Sequence, residues 1–271
     1  MGEESMKKAM AFLGLGILAA VVLRAEVYVR GVHHIPGGYR YGRNVPRLAI
    51  FNEWWIGKDK AAFSSSGWAY EYSGNTDWQL VLDKARGRMI IVNLSEKAYW
   101  EIALNAPLAA FVDAAALRWL SQFKVYGQTS STGGRASVLG KYCREIEIAE
   151  WIISNDEDRF YDRRRKSLVT ADIPFNWKLA REVFLWAASL FNPQEAYVAE
   201  MEKLGGFVLA SDEETSEGGS IVTWSFKVDE MDVRRPPRGI FDPPVGFKKL
   251  EKLDVKALLG LKSIIFMSPI Y

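Results

Sequence analysis

The chain contains one cysteine and two histidines in 271 residues. A lone thiol, Cys143, closes no intramolecular disulfide, so an oxidising compartment would not staple this fold. Cys143 lies on an alternating segment with no histidine downstream, which reads as a small buried apolar residue rather than a nucleophile. His33 and His34 are adjacent, and neighbours on a strand point to opposite faces, so they cannot both serve one triad or one metal site. Both read as strand-end or loop residues. Phosphate-cradling glycine motifs are missing too: Gly14-Leu15-Gly16 lies in an apolar N-terminal stretch, and Gly37-Gly38 lacks a following helix.

An excess of either charge is also lacking. The 35 basic and 33 acidic residues leave a formal charge of +2, with no long single-sign run. The densest basic stretch, residues 163–166, follows Asp156, Glu157, Asp158 and Asp162, and reads as a solvated hairpin edge rather than a nucleic-acid groove. Glu145 with Glu147 reads as a pair on one strand face, and Glu213 with Glu214 as solvated loop acids. No catalytic residue, metal site or cofactor emerges, and no nucleic-acid partner is expected.

Apolar runs of spanning length are wanting. Residues 9–23 are apolar and follow Lys7 and Lys8, but fall short of the about 20 residues a membrane helix needs. Residues 1–25 therefore read as a secretory signal peptide, with a retained membrane anchor as the alternative. The expected location is periplasmic or secreted.

What the chain has is aromatic and apolar material: 10 Trp, 11 Tyr and 14 Phe within a 49% hydrophobic composition, enough to bury one sizeable core unaided. Short apolar runs at residues 53–56, 60–63, 68–72, 78–82, 88–92 and 98–102 are separated by Gly, Ser, Asn and Asp turn chemistry. That is an antiparallel meander. Strands at residues 26–34 and 47–56 precede or open it. A single alanine-rich helix is expected over 108–120, then a strand at 123–127, a flexible stretch at 130–134 and a strand at 142–151. The hairpin partner of that strand is 159–161 or 167–170. Two helices follow, Asn176 capping 177–191 and Pro193 opening 194–204, with Gly205-Gly206 as the stop. Strands at 207–211 and 220–233 are joined by a polar loop at 212–219. The proline-ruled residues 234–247 are extended, and the last twenty residues are either a docked helix or a tail.

This order, with Glu53-Trp54-Trp55-Ile56-Gly57-Lys58-Asp59-Lys60, Trp78-Gln79-Leu80-Val81-Leu82-Asp83, Arg88-Met89-Ile90-Ile91-Val92-Asn93, Lys97-Ala98-Tyr99-Trp100, Gly140-Lys141-Tyr142-Cys143 and Phe241-Asp242-Pro243-Pro244-Val245-Gly246-Phe247, resembles an exported domain family of unknown function that shares the fold of the LolA and LolB lipoprotein carriers. The resemblance spans roughly residues 26–250, leaving 251–271 as a C-terminal extension and residues 151–172 as a longer hairpin insert. It implies an α+β fold in which a curved antiparallel sheet forms an incomplete barrel covered by a few helices. Lipid or acyl chains occupy the space under the helices in the carriers.

Two functions follow as expectations. The first is an exported, non-enzymatic carrier of a lipid or acylated protein, with peripheral membrane contact. Its candidate ligand-binding residues are Leu80, Leu82, Ile90, Val92, Trp100 and Ile102 on the sheet and Phe111, Trp119, Phe184 and Trp186 on the helices, facing each other across an apolar cavity. The second is an envelope structural or sensor domain that binds protein partners, its half-barrel filled by these same side chains.

Overall fold

The structure, a computed structural model, describes residues 26–35, 38–40, 43–45, 48–66, 77–154, 159–191, 193–217 and 220–267. The expected signal segment 1–25 and the expected strand at 68–72 lie outside them.

Fourteen strands and five helices are described. β1 (Glu26–Ile35) leads through the small hairpin of β2 (Gly38–Arg40) and β3 (Arg43–Val45) into β4 (Leu48–Ile56) and β5 (Lys60–Ser66). The meander continues as β6 (Trp78–Asp83), β7 (Arg88–Asn93) and β8 (Ala98–Ala103). Helices α1 (Leu108–Phe111) and α2 (Ala114–Leu120) precede the long strands β9 (Phe123–Val138), β10 (Lys141–Ser154) and β11 (Arg159–Thr170). Then come α3 (Trp177–Ser189), α4 (Glu195–Glu202), β12 (Phe207–Glu217), β13 (Ser220–Arg234), β14 (Lys248–Lys249) and α5 (Val255–Met267).

Twelve of the strands form one open, curved sheet in the order β14-β8-β7-β6-β5-β4-β1-β13-β12-β11-β10-β9. Every pairing in it is antiparallel except β14 with β8. The fold is thus the expected α+β arrangement. The β4–β8 meander and the β9–β13 strands form two halves, and β1 pairing with β13 is the seam between them.

Three local expectations are corrected. The helix expected over 108–120 is two, because Val112 is extended and bridges Leu253, while the Asp113 side chain accepts from the Ala116 N–H and starts α2 afresh. The stretch at 130–134, read as flexible from its Ser and Gly content, belongs to β9, with a register shift against β10 opposite Glu145. Pairing with a long partner strand overrides local composition there. Likewise the 212–217 loop is strand, paired to both β11 and β13. The two alternatives for the β10 partner are the ends of one strand, β11.

One face of the sheet carries the main core. Trp54, Phe63, Leu80, Leu82, Met89, Ile91, Trp100 and Ile102 pack there under α1, α2, α3 and α5. The rings of Trp54, Phe63 and Phe184 form a triangle with centroids 4.7, 5.0 and 5.2 Å apart. The described part of the closing segment is a docked helix, α5: Asp254 caps it by accepting from the Ala257 N–H, and Leu258 and Leu261 are fully buried in the main core. The chain reaches it by crossing the outer face, where Phe241 packs with Tyr28, Trp55, Val81, Ile90 and Val92.

The chain itself covers part of each sheet edge. At β8, the Lys248 and Leu250 N–H groups donate to the carbonyls of Lys97 and Tyr99. At β9, the Gln194 N–H donates to Val125 and the Thr129 N–H to the Glu200 carboxylate. These contacts satisfy some of the edge backbone that would otherwise template association.

Candidate functional site

The ten residues read from sequence as a cavity lining do not share one face. The four-residue turn at 84–87 pairs Leu80 with Ile91 and Leu82 with Met89. Ile90 and Val92 therefore point away from Leu80 and Leu82, since strand side chains alternate. They are buried in the outer-face cluster beneath Phe241. Sequence placed them by strand membership without fixing the register, and register is what decides the face. Leu80, Leu82, Trp100, Ile102, Phe111 and Phe184 come together in the main core, with Trp119 and Trp186 half-buried against it. Phe111 and Trp186 stack with centroids 6.1 Å apart.

Phe184 packs edge-on against the Trp54 and Phe63 rings of the same core. Between α5 and β6–β8 lies a cleft of about 50 Å³ lined by Trp78, Asn93, Glu96, Trp100, Lys256 and Gly260 among others. A drug- or lipid-sized ligand takes about 300–1,000 Å³. The Trp78 indole N–H is buried in this cleft with no hydrogen-bond partner among the described residues, and the α5 backbone passes so close that a Cβ on Gly260 would meet the ring at 2.6 Å. A space of that size suits water.

The chemistry of the covered face lies elsewhere, on β10 to β13 and β1. Alternation along β11 turns Arg163, Arg165 and Ser167 inward and leaves Arg164 and Lys166 exposed. Register sets Arg163 opposite Glu150 on β10 and Arg165 opposite Glu213 on β12. Arg163 donates from Nε to Glu213 at 2.9 Å and approaches it again through Nη2 at 2.7 Å. Glu150 lies 3.6 Å from Arg163 and 3.4 Å from Arg165, and accepts from the Tyr197 hydroxyl of α4 at 3.0 Å. The Ser211 hydroxyl donates to Glu213 at 2.9 Å. Two guanidinium groups and two carboxylates thus stand together with their charges matched, all at 5% exposure or less.

His33 joins this group from β1. It is 2% exposed, its ring lies 4.9 Å from that of Phe226, and neither ring nitrogen has a hydrogen-bond partner among the described residues. Burial drives its pKa down to about 4; Glu213 pulls the other way, while Arg163, Arg165 and His34 add to the fall. For Glu213 burial opposes ionisation, but Arg163, His33, Arg165 and the Ser211 hydroxyl outweigh it and hold the carboxyl below its usual range. At neutral pH Glu213 is therefore ionised and His33 neutral.

These residues correct the sequence reading. Within the 163–166 run Arg164 and Lys166 are exposed as read but Arg163 and Arg165 are buried, Glu213 lies on a strand rather than in a loop, and His33 is a buried strand residue. The signal was present as Arg163-x-Arg165-x-Ser167 against Ser211-x-Glu213-x-Thr215, two polar alternations of strand period and opposite charge. Cys143, by contrast, is buried as expected, and burial raises its thiol pKa.

No family model matches the chain, and no curated protein matches its sequence. Among solved structures it is similar to PNGF-II in the C2 and P21 space groups, at 9% and 10% identity with TM-scores of 0.39 and 0.34. Each match covers 89% of this chain and 33% of the other, so the chain spans about a third of PNGF-II.

Proposed function

We infer that this chain is an exported, non-enzymatic envelope domain that binds a protein partner, with a LolA-like half-barrel filled by its own side chains. One observation carries this. The apolar face that a carrier would offer to an acyl chain is occupied here by Phe111, Phe184, Leu258 and Leu261, all at 7% exposure or less. Leu258 and Leu261 come from the segment beyond the half-barrel, which stands in for the guest. The outer face of β6–β8 is closed as well, by residues 240–247.

Formaldehyde crosslinking in intact envelopes, followed by mass spectrometry, tests the proposal. One protein recovered in near-stoichiometric amount is expected, and recovery of the free chain alone would overturn it. The carrier reading keeps one supporting observation: part of the filling is a terminal helix, which can leave without unpairing a central strand. In that case organic extraction of the purified protein would release lipid.

A further inference from the structure

The two halves of the sheet meet where β1 pairs with β13, strands about 200 residues apart in sequence. That seam is irregular. Its register shifts between Arg30 and Gly31, and Phe226 of β13 lies so close over Gly31 that a Cβ there would sit 2.3 Å from the ring. The same phenylalanine ring packs against His33. A glycine kink, a ring laid across it and a buried imidazole therefore form one contact.

We propose that His33 is an acid-sensitive latch on this seam: neutral, it packs; protonated, it forces the β1–β13 pairing to open. The groups that face it decide the sign. From β11 come Arg163 and Arg165, from β12 Glu213, and from β1 itself the neighbouring His34. From β4, Ile50 stands opposite it in register, and from β13 Phe226 covers the ring, so neither strand supplies an acceptor at those positions. Glu213 is already committed to Arg163 and Ser211. A proton on His33 adds a third positive charge beside two guanidinium groups, and both ring N–H groups then lack acceptors. Water is the remaining acceptor, and it enters only if the seam parts.

The meander lies further from the seam: β4 and β5 separate β1 from β6, and β6, β7 and β8 pair without register shifts. Acid should therefore act on β1 and β13 before it acts on the meander.

Hydrogen exchange of the full chain, followed peptide by peptide from pH 7 to pH 4 and corrected for intrinsic rates, reads this out. Opening at residues 26–35 and 220–234 is expected to rise by up to about tenfold per pH unit below pH 6, with residues 78–103 lagging behind. His33→Gln, which cannot take the proton, should flatten that slope, whereas His34→Gln should leave it unchanged. A His33→Gln profile with the wild-type slope would overturn the latch. If that variant does not fold, histidine-labelled NMR of the wild-type chain decides, because the chain holds two histidines. A His33 ring that stays neutral to below pH 5 and protonates together with seam opening supports the latch. A ring that titrates near its ordinary value without change at the seam refutes it.

Discussion

At the residue scale the protein's least expected feature is the set of charges it buries. Arg163 and Glu213 are each almost fully enclosed, and such a pair is stable only because each satisfies the other. Removing one partner strands the other. Arg163→Met or Glu213→Leu alone should each cost about 3–5 kcal/mol in urea unfolding. The double variant should recover most of that, because Glu150 keeps Arg165 as its nearby cation and the remaining pair is replaced by apolar volume. Additive losses would show that the two do not act as a pair. This cluster was the part of the molecule hardest to read from sequence. Charged residues are almost never fully buried, so by composition Arg163 and Arg165 read as solvent residues like their neighbours Arg164 and Lys166. Only the strand period separates the two inward residues from the two outward ones, and that period carries meaning once β11 is known to lie between β10 and β12.

At the element scale, legibility followed the strength of the local signal. The β4–β8 meander is legible because short apolar runs alternate with turn chemistry, and Lys97 with a φ of 50° and Gly87 with a φ of 62° mark two of its turns. Its register was not legible, and with it went the faces of Ile90 and Val92. The C-terminal helix gave mixed signals, since an apolar stretch of that kind suits a docked helix or a tail alike. Its docking is specific in the structure. Trp100 donates its indole N–H to the Lys252 carbonyl, Lys252 reaches the Ala109 carbonyl, and Leu258 has no exposed surface. Leu258→Ala should therefore lower stability by about 2–5 kcal/mol. Gly260→Ala should also destabilise, and should shift tryptophan fluorescence, because the new methyl group meets the Trp78 ring. A Leu258→Ala effect below about 0.5 kcal/mol, the range of ordinary surface substitutions, would mean that α5 is not part of the core.

At the scale of the whole molecule, an open sheet of twelve strands is covered by its own chain on one face, on part of the other and at part of each edge. The helices cover one face, residues 240–247 cover part of the other, and β14 and α4 guard the two edges. Hydrophobic patterning and turns dictate the antiparallel meander, while the curved sheet covered by a few helices is what the family resemblance implies. Sequence reasoning left open whether the space between sheet and helices is empty or filled, since the same aromatic and aliphatic residues suit either outcome and packing is a property of three-dimensional fit. Native mass spectrometry of the protein purified from its native source, without organic solvent, addresses that point directly. The account predicts a mass equal to the polypeptide alone, unchanged after incubation with a long-chain fatty acid. A reproducible extra mass equal to one lipid per chain would contradict it.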